Sequence, residues 1–315
     1  MADEQSLQNT SFFSLIPQEW IDDRSFNTAV VRCYASAIAD DPGLADIAAT
    51  ALRSFQAMIP GRSLAFLGTI KEDQQVLSFE MRPAFRDGTV HLSVGQKTVS
   101  VLAGGYVFLV SPLSVSDDRT DEDLINRRTD FIRGLLTGIF GHMAMLKLVF
   151  EHRYELGSPD KVSCVSTSFE NHISPANWIA FSNNELIYAG VSVAAGESEF
   201  RDRLELSLSF IGRAANELDH VIRFSHIWIA LEIAAGGHAA AKNFLNGLHN
   251  FAHEAKRFAD IRNGLFHHGR RPVFDQNDER LLCTCVIARN LQNFGIQHAS
   301  FSQLVTDHLA RHPAP

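Results

Sequence analysis

The chain has 315 residues, 45% of them hydrophobic, so it can bury one large core or two ordinary ones. A formal charge of −8 argues against a broad nucleic-acid-binding surface, while leaving room for a local one. The acidic start from Met1 to Gln5 does not read as a signal peptide, and no run approaches the ~18–20 apolar residues of a membrane span. Cys33, Cys164, Cys283 and Cys285 complete no zinc pattern, so buried reduced thiols in a cytoplasm are the expectation.

Residues 25–58 read as helical, with Ala29, Val30, Tyr34, Ala37 and Ile38, then Leu44, Ile47, Ala48, Leu52 and Phe55, and a turn at Pro42-Gly43. Residues 62–112 change character. They alternate, are rich in valine and are divided by turn dipeptides, which predicts antiparallel strands. Residues 120–156 return to a helical stripe of Phe131, Leu135, Ile139, Met143, Leu146 and Phe150, with a capping box from Thr120 and Asp123. Gly157 to Gly196 reads as loops around short strands. Residues 1–190 show no catalytic constellation: Gly104-Gly105 opens no helix, and Arg127, Arg128 and Arg133 read as a solvated face beside acidic neighbours.

From residue 197 to 315 the pattern is helical throughout. Val221 to Ala235 is apolar at helical spacing, with Glu232 set among Trp228, Leu231 and Ala235, and Gly236-Gly237 ends it. One long helix is predicted from about His238 to His268, closed by Gly269 and Pro272, and a further one from Glu279 to Phe294. The fold expectation is therefore α+β: an N-terminal helical and antiparallel-sheet region, then a C-terminal all-α bundle.

The last turns of the 238–268 stretch carry Arg262, Asn263, His267 and His268. Arginine offers a planar fork of donors matched to phosphate oxygens, and histidine exchanges a proton near neutral pH. Lys256, Arg257, Arg270 and Arg271 add local positive charge for RNA. The plainer alternative pairs Arg262 with Glu232 or Glu217 and leaves His267 as a surface residue. His249 and His253 have the four-residue spacing of a metal site, without the glutamate between them that a zinc hydrolase motif carries.

The order Trp228-Ile229-Ala230-Leu231-Glu232, then Arg262-Asn263 and His267, then a last helix, resembles a HEPN domain, particularly its Apea-like branch. The resemblance runs from Glu199 to His308 and covers the C-terminal third. It implies a metal-independent RNA endonuclease without a cofactor, in a toxin or defence setting, with Arg262, Asn263 and His267 catalytic and His268 and Glu232 auxiliary. It also implies a homodimer with a composite site, and a role for an antitoxin or other regulator. The ~140° between Arg262 and His267 around a helix points the same way, because one copy alone would surround a phosphate poorly. Gly264 would then mark close approach of a second helix. Two other functions stay open: a non-catalytic sensor or adaptor binding a nucleotide, RNA or protein, and a metal-dependent hydrolase using the histidines.

Overall fold

A computed structural model describes residues 12–56, 62–70, 77–78, 89–94, 97–102, 104–114, 118–140, 146–157, 162–166, 200–270, 273–296 and 301–311. The expected loops of 157–196, Trp178 among them, lie almost wholly outside this set. So do Met143, Arg271, Pro272 and the side chain of Thr120. The chain forms two units, Met1–Arg128 with Met145–Ile173, and Thr129–Ala144 with Ser174–Pro315.

The first unit is built on an antiparallel sheet. Its strands are β1 (Phe26–Ala35), β2 (Leu64–Ile70), β3 (Leu77–Ser78), β6 (Gly104–Ser114), β7 (Lys147–Glu155) and β8 (Val162–Ser166), in the order β3-β2-β6-β1-β7-β8. Strands β4 (Thr89–Val94) and β5 (Lys97–Leu102) pair separately as a hairpin. The antiparallel strands expected over 62–112 are present. The helix expected over 25–58 is corrected: its first part is β1, the strand between β6 and β7, and only α2 (Ala37–Asp40) and α3 (Pro42–Ser54) are helical. The helix expected over 120–156 likewise stops at Phe140, as α4 (Asp118–Phe140), and 147–155 is β7.

Burial on both faces explains the first misreading. From Ala29 to Ala35 every residue of β1 is buried, so the strand loses the alternation that marks a half-exposed one. Ala29, Val31 and Cys33 pack with Phe108, Val110, Phe150 and Tyr154 under Phe12, Trp20 and the short helix α1 (Gln18–Asp22). Val30 faces the other way, against Leu113 and Ile125 of α4. Arg32 is also on that strand, bonded to Glu151 at 2.7 Å and to Asn126 at 3.0 Å.

The second unit is helical. It holds the end of α4, then α5 (Arg201–Ala215), α6 (His220–Ala235), α7 (His238–Asn246), α8 (Ala252–His268), α9 (Gln276–Asn293) and α10 (Phe301–Arg311). The unit boundary therefore departs from the expected 190/197 division. Gly134 of α4 and Gly212 of α5 show why: a Cβ at Gly134 would lie 1.8 Å from the Leu208 carbonyl oxygen, and one at Gly212 would lie 1.9 Å from that of Asp130. Only glycines let the two backbones cross this closely. Arg213 then clamps the crossing through Asp130 at 2.9 Å.

Helix α6 runs through the core. Phe224, Ile227, Trp228, Leu231 and Ala234 are fully buried against Leu245, Phe251, Phe258, Leu282 and Val286. Each such large apolar side chain contributes about 1.5–3 kcal/mol. Asp219 caps α6 by accepting from Val221 and Ile222 N–H, and Gly236, at φ 90°, ends it. The single helix expected over 238–268 is broken at 247–251, where Asn250 takes φ 56°. The apolar stripe runs on through the break, because Leu245, Leu248 and Phe251 all reach the core.

Candidate active site

Helix α8 presents its final turns to solvent. Ala255, Phe258 and Ala259 bury one side of the helix, while Phe266, His267 and His268 are exposed. Gly269 adopts φ 60°, its N–H bonding the Leu265 carbonyl at 3.1 Å while the Arg270 N–H bonds that of Gly264 at 3.0 Å. This left-handed cap closes the helix as expected. The atoms nearest a Cβ at Gly264 would belong to Arg270, at 3.8 and 3.9 Å, so Gly264 faces a side chain of its own chain.

Arg262 and His267 meet within one chain. Arg262 Nη1 lies 3.1 Å from His267 Nε2 and 3.4 Å from Asn263 Oδ1. The 140° argument for a second copy is thereby corrected: the long arginine side chain crosses that angle by itself. A guanidinium only donates, so His267 Nε2 must be accepting, and the imidazole hydrogen sits on Nδ1. The ring of Phe266 lies 5.1 Å under the Arg262 Cζ, holding the guanidinium plane.

The other terminal nitrogen of Arg262 faces α6. Nη2 is 3.5 Å from Glu232 Oε1, with the two side chains 19% and 22% exposed. The same oxygen accepts the Trp228 indole N–H at 2.6 Å and lies 2.8 Å from His238 Nδ1. Glu232, expected as auxiliary, is thus the hub of the site, and the alternative pairing of Arg262 with Glu232 is present as well. His238 was not legible as a site residue. It reaches Glu232 only because Gly236-Gly237 turns the chain back at the C-terminal end of α6. The one sequence signal for it is a histidine directly after that double-glycine turn. His268 stacks edge-on beside His267, with ring centroids 6.5 Å apart, outside the network.

The expected RNA-binding residues fall elsewhere. Lys256, Arg257 and Arg270 line a groove of about 500 Å³ with His253, Asp260, Ile261, Gly264 and Val273. At ~100° per residue, Arg262 lies roughly 160° around α8 from Asp260 and Gly264, so the groove occupies the other face. Arg257 is paired with two carboxylates of its own chain, Glu254 and Asp278. Burial works against its charge, but hydrogen bonds to Asp278 and Glu254 outweigh it and hold the guanidinium above its ordinary value. Lys256 and Arg270 form no ion pair among the described residues. Arg271 lies outside the described residues.

The histidine pair considered for metal does not share a helix. His249 lies in the break and His253 is in the first turn of α8, 3.5 Å from Glu254. Among the described residues no three metal-ligating side chains cluster. Cys33, Cys283 and Cys285 are buried free thiols, and burial pushes all three up. Among the described residues no helix is long and apolar enough to cross a membrane.

A guanidinium whose donor an incoming phosphodiester can take from the imidazole is a set of groups that can bind that phosphodiester and remove a nearby proton. No known protein-family model, curated protein or solved structure matches this chain. The functional reading therefore rests on the residues and the geometry of α6 and α8.

Proposed function

We propose that the C-terminal helical unit is a metal-independent RNA endonuclease centred on Arg262 and His267. One observation carries the reading: the 3.1 Å contact between Arg262 Nη1 and His267 Nε2 at an exposed helix end, held from below by Glu232. A bound phosphodiester takes the Nη1 donor from His267. The freed Nε2 lone pair then accepts the proton of the adjacent 2′-hydroxyl, whose oxygen attacks phosphorus. Arg262 stabilises the charge that builds on the phosphoryl oxygens, and Asn263 fixes the guanidinium. The products are a 2′,3′-cyclic phosphate and a 5′-hydroxyl. The HEPN-like order of Trp228, Glu232, Arg262, Asn263 and His267 supports the same chemistry.

The test is single-turnover cleavage of mixed RNA in EDTA. Arg262→Ala should lower the rate by about 10²–10³, the usual effect of losing one transition-state donor. His267→Ala should lower it by about 10²–10⁴, as for a lost general base. Circular dichroism should show both variants folded. Wild-type activity that EDTA abolishes and zinc restores would replace this reading with a metal-dependent hydrolase.

A second reading has one observation in its favour, the engagement of Arg262 by Glu232. In it, the unit binds RNA or a nucleotide as a sensor or adaptor and does not cleave. Retained binding of intact RNA by both wild type and His267→Ala, with no cleavage by either, would select it.

A further inference from the structure

Cleavage through a 2′-hydroxyl needs two proton transfers, and the Arg262–His267 pair accounts for one. The attacking oxygen loses a proton as the 2′-O–P bond forms. The departing 5′-oxygen must gain one as the P–O5′ bond breaks. The resemblance would draw the second group from another copy of the chain. A second imidazole already stands in the same network.

We infer that His238 is a further catalytic residue, the general acid that protonates the 5′-oxygen; this rests on the nuclease reading of Arg262 and His267. Three observations converge on it. First, His238 Nδ1 lies 2.8 Å from Glu232 Oε1. An ionised carboxylate only accepts, so Nδ1 carries a hydrogen and Nε2 is the nitrogen left to exchange a proton. Second, the same carboxylate holds the imidazole in one orientation, as in a carboxylate–histidine dyad. Third, both histidines are tied to one guanidinium, His267 through Nη1 and His238 through Glu232 and Nη2. A phosphate gripped by Arg262 therefore has His267 at Nη1 and, at Nη2, the carboxylate that holds His238. His238 is 41% exposed, open to a substrate, with the Trp228 indole 6.3 Å from its ring.

The step balances without another reagent. His267 Nε2 receives the 2′-hydroxyl proton, His238 Nε2 gives its proton to the 5′-oxygen, and water later resets the two rings. Glu232 is a positioning residue. It touches neither reacting oxygen, but sets the His238 tautomer and the Arg262 fork together.

The experiment compares two RNA oligonucleotides, one ordinary and one with sulfur replacing the bridging 5′-oxygen at a single site. A thiolate leaves without help from an acid. His238→Ala should lower ordinary cleavage by about 10²–10⁴ and fall within about tenfold of wild type on the sulfur substrate. His267→Ala should stay slow on both. His238→Asn keeps an N–H for Glu232 but cannot transfer a proton, so it separates the chemical role from a structural one: it too should be slow only on ordinary RNA. His238→Asn cleaving ordinary RNA at the wild-type rate would overturn the assignment. Arg262→Ala and His267→Ala copies that recover activity when mixed would instead contradict the one-chain Arg262–His267 site on which this rests. A wild type that cleaves neither substrate would instead remove the nuclease reading on which this rests.

Discussion

Helix α6 carries an arginine–carboxylate pair at each end, and the two pairs are built for different purposes. At its start, Arg223 donates to both oxygens of Glu279 at 2.9 and 3.2 Å, and its remaining donors take the carbonyls of Glu217 and Leu218. Both side chains are 1% exposed. Near its other end Glu232 holds Arg262 by a longer contact, in partial solvent, with two histidines attached. A closed pair has no donor left for a ligand. An open pair with spare proton-exchanging groups does, and this separates a structural arginine from a candidate catalytic one in the same unit.

Breaking the closed pair should have the largest effect on folding. Arg223→Ala leaves the buried Glu279 without its guanidinium, with the exposed His220 imidazole 3.8 Å away, which costs about 3–5 kcal/mol. Urea unfolding of the full chain measures it. Arg262→Ala, in the same assay, should lose far less, because Glu232 keeps Trp228, His238 and water.

The sheet unit offers a closed polar group of another kind. His152 is fully buried beside Phe12 and Phe150, and burial lowers its pKa from 6.5 to about 4. Its Nδ1 faces the Tyr154 hydroxyl at 3.3 Å, and its Nε2 has no partner among the described residues. Between pH 6.5 and about 4 the unfolded chain binds a proton that the folded chain refuses, so stability falls as pH falls through that window. The full effect is about 3 kcal/mol. The difference between wild type and His152→Gln, in urea titrations from pH 7 to pH 4, isolates it.

The smallest effect concerns the groove on the other face of α8. Replacing Lys256 and Arg270 together by alanine should weaken RNA binding and lessen the log–log salt slope by about 1.4, at about 0.7 per phosphate on a single strand. Cleavage at saturating RNA should hardly change. A slope that survives both changes would place the RNA on another surface.

What the sequence made legible follows from which signals are local. The end of α6 at Gly236, the cap of α8 at Gly269 and the segment carrying Arg262, Asn263 and His267 are each written within a few residues. Strand β1 was not legible, because Ala29 to Ala35 are buried on both faces and a continuous apolar run suits a helix as well. Strand β7 was hidden differently: Leu146 and Phe150 extend the stripe of α4 by a four-residue step, and the alternation of 147–155 reads clearly only once that helix has stopped. Of the site, the residue types were legible and their partnerships were not. Angles on a helix say nothing of how far an arginine side chain reaches, and His238 joins Glu232 through a turn whose direction only the fold sets.

The most direct measurement identifies the new RNA ends by mass spectrometry after single-turnover incubation in EDTA. Attack by a 2′-hydroxyl at Arg262 and His267 leaves a 2′,3′-cyclic phosphate and a 5′-hydroxyl, with loss of all cut product when a 2′-deoxynucleotide stands at the scission site. A 3′-hydroxyl with a 5′-phosphate, or cleavage that persists past the 2′-deoxy substitution, would contradict the assignment of these two residues to that chemistry.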